Sequence, residues 1–139
     1  MNMNHHSLIR EHGPGPFCVD ISCAAETNPN FRTALWTGTH LQTTLMHIPV
    51  HGDIGVEIHP ETDQLVRVEA GQAQVRMGPC RDQLRISCCL TQGHAVFIPC
   101  GTWHNIYNVG SCPLKLSSVY APPHHPAGTV HKTRADAEE

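Results

Sequence analysis

The residues best suited to chemistry in this chain of 139 are Glu57 and His59, two positions apart, then Gln64, and well downstream His104. Two imidazoles, one carboxylate and one carboxamide offer nitrogen and oxygen donors without thiolate. Such a set suits a borderline or hard divalent metal such as Fe, Mn, Ni or Zn. Two histidines and one carboxylate also compose the facial triad that holds Fe(II) with coordination positions left open. Each residue alone has a plainer reading. Glu57 could be a solvated charge, Gln64 a core amide bonded to backbone, and His104 a satisfied core histidine. The elements that carry them decide whether the four donors meet.

Those elements read as short strands. Glu57 and His59 share one face of a short strand from Val56 to His59, because successive side chains on a strand alternate. Gln64 to Glu69 is the next strand, and its face with Arg67 and Glu69 should lie outside. That turns Gln64 inward with Val66 and Val68. His104 opens a strand running to Val109, directly after the turn Pro99-Cys100-Gly101. Trp103 and Tyr107 then point away from His104. Further strands are expected over 39–48, 72–77, 84–90, 95–98 and 114–120. On the last of these Tyr120 has the parity of Leu114, Leu116 and Ser118, and it could line the cavity as an acid/base or hydrogen-bonding group. A short strand is expected around Phe17 to Ile21, and no segment reads as a convincing helix. Strands at this spacing, joined by turns rich in the 11 Gly and 11 Pro, point to an antiparallel sandwich or barrel.

The rest of the chain narrows the alternatives. Its length suits one domain. Nine Lys and Arg lie scattered in a chain of net charge −3, whereas a phosphate-tracking surface needs them clustered. Nucleic-acid binding is not expected. No apolar run reaches the roughly 18–20 residues of a membrane span, and residues 1–10 lack a secretory apolar region. Seven cysteines without a C-x-x-C pair fit free thiols in the cytoplasm better than a disulfide framework.

The run Gly93, Pro99, Gly101, His104, Asn108 resembles the second motif of the cupin superfamily in full. Glu57, His59, Gln64 and Gly71 stand where its first motif has two histidines, an acidic residue and a glycine, so the first His is replaced by Glu and the acidic ligand by Gln. The resemblance covers about residues 39–120. Residues 1–30, broken by Gly and Pro, read as an N-terminal arm, and 124–139 as a tail, extended at its Pro-rich start and polar and frayed toward Glu139. The resemblance implies an all-β double-stranded β-helix, or jelly-roll barrel, over 31–123. It also implies a divalent metal held by Glu57, His59, Gln64 and His104. Gln64 would be a weak fourth ligand or a partner of a bound water. Glu57 and Tyr120 are the catalytic candidates. The implied activity is that of a metal-dependent enzyme on a small, oxygen-rich metabolite, by isomerase, lyase or dioxygenase chemistry. The alternative is a non-catalytic cupin binding a sugar or other small ligand. Short cupins of this pattern are often likened to mannose-6-phosphate isomerases, although no Lys/Arg cluster for a sugar phosphate is evident. Open sheet edges and a Pro-punctuated arm favour a homodimer.

Overall fold

In the computed structural model, which describes residues 8–137, nine strands form two antiparallel sheets. They are β1 (Arg32–Thr37), β2 (Gln42–Ile48), β3 (Asp63–Ala70), β4 (Ala73–Gly78), β5 (Ile86–Leu90), β6 (Ala95–Ile98), β7 (Trp103–Asn108), β8 (Leu114–Ala121) and β9 (Val130–His131). The larger sheet has the order β6-β3-β8-β2-β1-β9 and the smaller β5-β4-β7. The inward faces of the two sheets enclose one apolar cluster that includes Met46, Ile48, Val66, Val68, Val75, Ile98, Ile106, Leu114 and Leu116. Alternation places these residues inside, and it turns Gln42, Thr44, Gln64, Ser118 and Tyr120 inward with them. This is the expected double-stranded β-helix. The described residues contain no helix long and apolar enough to cross a membrane.

The expected strand of Val56 to His59 is instead an irregular segment tied to β7 at two isolated bridges, Asp53 with Tyr107 and Glu57 with His104. Pro60 and the turn after it leave too little chain for a regular ladder.

The arm differs from expectation more sharply. No strand forms at Phe17 to Ile21; a helix, α1 (Ile21–Thr27), follows, with Asp20 as its N-cap accepting the Cys23 N–H. Seven residues are too few for a helical hydrophobic period to show in sequence. Ala24 and Ala25 bury against Leu35 and Leu45 on the outer face of the larger sheet, with Ile9, Phe17, Val19 and Ile21 beside them. The same covering explains Glu69, which was expected outside but is 1% exposed. Ser22 of α1 and Ser117 of β8 donate hydroxyl hydrogen bonds to its two carboxylate oxygens at 2.9 and 2.6 Å, and the Arg67 Nε lies 3.4 Å away.

Nor is the tail frayed where it is described. β9 pairs with β1, and α2 (Arg134–Ala137) follows it. The Arg134 guanidinium holds Asp53 at 2.8 Å. The first seven residues of the expected arm and the last two of the tail lie outside the described residues.

Candidate metal centre

Backbone pairing builds the site. Glu57 and His104 face each other across an antiparallel bridge and exchange both backbone hydrogen bonds, each at 2.9 Å. Residues paired in this way project side chains from the same face, about 5.5 Å apart at Cα. His59, two residues on, projects to that face as well, and its carbonyl accepts the Gly101 N–H at 2.9 Å. The turn that launches β7 is therefore pinned to the segment carrying the other two donors. Gly101 has φ +76°, a conformation that a β-carbon would strain.

The side chains meet as the pairing requires. Both His59 Nε2 and His104 Nε2 lie 3.4 Å from Glu57 Oε1. One ligand atom from each of the three residues falls within 4.8 Å of the others, so they form a group that could hold a metal ion. His104 is fully buried, and its Nδ1 lies 3.0 Å from the Thr102 carbonyl. That contact fixes the proton on Nδ1 and leaves the Nε2 lone pair facing inward, the tautomer a metal requires. Neither Nε2 nor Glu57 Oε1 has a conventional hydrogen-bond partner within the protein. Buried polar atoms are rarely left so, and a cation at their common focus would satisfy all three. Burial would raise the Glu57 carboxyl, but the His104 and His59 imidazoles outweigh it and hold it well below the usual carboxylate range. The donor set thus fits a divalent transition metal.

Gln64 lies on β3 in the larger sheet, not on the sheet of His104, and is paired in register with Tyr120. Its amide donates weakly to Ser118 Oγ at 3.5 Å, and Oε1 is left without a partner. Tyr120 is fully buried, edge-on to His59 with ring centroids 5.6 Å apart. Burial raises its phenol above the ordinary value, so it is neutral; its hydroxyl lies near Thr44 and Arg32 in no aligned hydrogen bond. Trp103 and Tyr107 face outward, against Arg81 and Arg76.

Sequence reasoning missed the second half of this cavity. The tail folds back, bringing the His124 ring to 4.1 Å from His59 and the His125 ring to 5.2 Å from Tyr120. Gln42 holds that stretch down. Its Oε1 accepts the His124 and His125 N–H groups at 3.2 and 3.0 Å, and its Nε2 donates to the His125 carbonyl at 2.8 Å. Burial and the neighbouring Arg32 push His125 down to about 3, so it is neutral. Arg32, His124, His125 and His131 line a cavity of about 660 Å³ that opens on Glu57. Only the density of histidines over 124–131 hinted at this in sequence, and Arg32 carried no signal.

A sequence model of the family described as Cupin domain matches residues 44–120. The protein YrkC of Bacillus subtilis, described as uncharacterized, is 52% identical over 130 residues, covering 94% of this chain and 70% of its own. The crystal structure of BH2720 from Bacillus halodurans is 53% identical, with a TM-score of 0.92 and coverage of 94% and 98%. A more distant likeness, 17% identical with a TM-score of 0.58, is to a Bacillus subtilis oxalate decarboxylase with Mn(II) centres. It covers 64% of this chain and 23% of that one, and shows a shared fold. The family match spans more than half of the sequence and every residue of the converging group. This chain belongs to the cupins.

Proposed function

We propose that this cupin is a metal-dependent enzyme acting on a small, oxygen-rich metabolite. The observation that carries the reading is the convergence of Glu57, His59 and His104 on one point, with Glu57 also lining a polar cavity. Glu57, His59 and His104 would hold the ion, with Gln64 as a weak neutral ligand or as the acceptor for a bound water. A divalent metal in such a site supplies Lewis acidity, or a place for O₂, at its open positions.

The protein's own groups then do the rest. His104 presents Nε2 because Thr102 holds its other proton. Tyr120, neutral and buried, can donate a hydrogen bond to a substrate oxygen or carry a proton between substrate atoms. Glu57 serves as ligand, or as base if it swings from the imidazoles. His124 and His125 line the cavity wall beside His59 and Tyr120.

The test is metal content followed by turnover. Anaerobic loading of the wild type should retain a first-row divalent metal. His104→Ala and Glu57→Ala should bind it more weakly by more than the roughly 10–100-fold typical of outer-shell substitutions. A protein retaining no such metal would defeat the proposal. A loaded protein that neither consumes O₂ nor turns over sugars, uronates or keto acids would favour the non-catalytic binding module.

A further inference from the structure

Arg32 is a cation buried beside this centre with no carboxylate in direct contact, although its charge is felt by Glu57. It sits at the start of β1, 3% exposed, in the wall of the cavity. Among the described residues it makes no ion pair within 4.0 Å. Its Nη1 meets His131 Nδ1 at 3.1 Å, and its plane lies 5.3 Å from the Phe31 ring centroid. Its Nε, fully sheltered, has no partner. A guanidinium held out of water this way is costly unless something completes it.

What surrounds Arg32 is equally incomplete. Thr44 Oγ1, Tyr120 Oη and His125 Nε2 are buried nearby, and each lacks a partner. Among the described residues, the other partnerless buried polar side-chain atoms are those of the metal group and Gln64 Oε1, together with His59 Nδ1 and His47 Nδ1. The cavity is lined by Arg32, Arg81 and Arg134 but by one carboxylate only, Glu57, which is engaged with the two imidazoles.

We infer that Arg32 anchors a carboxylate-binding subsite beside the metal centre, so the ligand of this cavity is a small carboxylate-bearing metabolite. The inference rests on the metal-site reading for what happens at the other end of the ligand, and it narrows that reading to one substrate class. An arginine fork matches the two oxygens of a carboxylate. One buried guanidinium balances one negative charge. A phosphate dianion would call for a second buried cation, and Arg81 and Arg134 are both exposed. The orphan hydroxyls and His125 Nε2 complete the shell, and the other end of the molecule would reach toward Glu57, His59 and His104.

Calorimetric titration with pyruvate and its uncharged analogue pyruvamide, on metal-free and Mn(II)-loaded protein, tests this. Metal-free wild type should prefer pyruvate. Arg32→Gln should weaken pyruvate binding about thirtyfold or more, with Mn(II) occupancy unchanged. Arg32→Lys, which keeps the charge and loses the fork, should fall between the two. Equal binding of the two probes by metal-free wild type overturns the subsite, and that result needs no variant to fold. Equal pyruvate affinity in wild type and Arg32→Gln overturns it too, as does stronger Arg32-dependent binding of inorganic phosphate than of pyruvate. Failure to bind any first-row divalent metal, with Arg32-dependent pyruvate binding intact, refutes the metal centre and leaves the subsite standing.

Discussion

At the scale of single residues, the site is governed by which polar atoms are left without partners. Tyr120 illustrates this best. Its ring is fully buried and packs on His59, while its hydroxyl finds no aligned partner in the protein. Removing a buried hydroxyl that makes no bond should cost little stability, because no desolvated partner is left behind. Removing a proton carrier from a reacting centre costs roughly 10²–10⁴ in rate. On the proposed role, Tyr120→Phe should therefore keep a denaturation midpoint close to wild type while turnover of any substrate found for the loaded protein falls by about that factor. Unchanged turnover would remove Tyr120 from the chemistry.

Among elements, the decisive partnership is between β2 and the returning tail. Gln42 on β2 is fully buried, and its side chain makes four hydrogen bonds. Three go to the backbone of His124 and His125, and the fourth joins its Nε2 to Thr37 Oγ1 at 3.0 Å. Truncation leaves those backbone groups without their partner, at a cost of about 1–3 kcal/mol. Gln42→Ala should lower unfolding free energy by that amount in urea. It should also raise amide hydrogen exchange at His124 and His125 ahead of the strands, since the segment loses its clamp but the sheets keep theirs. The helix α1 plays the matching role on the outer face, where Ala24 and Ala25 pack on Leu35 of β1 and Leu45 of β2 as a second small core.

Across the whole molecule, arm and tail are joined by one carboxylate. Glu11 Oε1 accepts the Thr37 hydroxyl at 2.6 Å and the Gly128 N–H at 2.9 Å, and Oε2 accepts the Gly13 N–H at 2.9 Å. Burial would raise its carboxyl, but the bonds from Thr37, Gly128 and Gly13 outweigh it and lower it below the ordinary value of 4.5. A group depressed in the folded state contributes stability that is complete above its unfolded value and is lost as pH falls through the folded one. Acidification from pH 6 toward and below about 4 should thus loosen the arm and tail, and Glu11→Gln should flatten that part of the stability profile. Thermal unfolding across this range, with and without the substitution, measures it; identical profiles would place the acid sensitivity elsewhere.

The sequence by itself determined the barrel and pointed to Glu57, His59 and His104, the residues that converge as a candidate metal group. Period-2 alternation sorted Val66, Val68, Gln64 and Tyr120 inward, and the turn from Pro99 to Gly101 placed His104 at the beginning of a strand, because these are local consequences of pleat and turn geometry. The structure starts that strand one residue earlier, at Trp103. Only tertiary structure decided the rest. Glu69 is buried because a helix too short to show a period covers it. Arg32, His124, His125 and His131 share a cavity with Glu57 because β9 pairs with β1 and Gln42 clamps the tail, contacts between residues distant in the chain that no local spacing encodes. The donors could be read from a motif, whereas the cation beside them could be seen only once the chain had closed on itself.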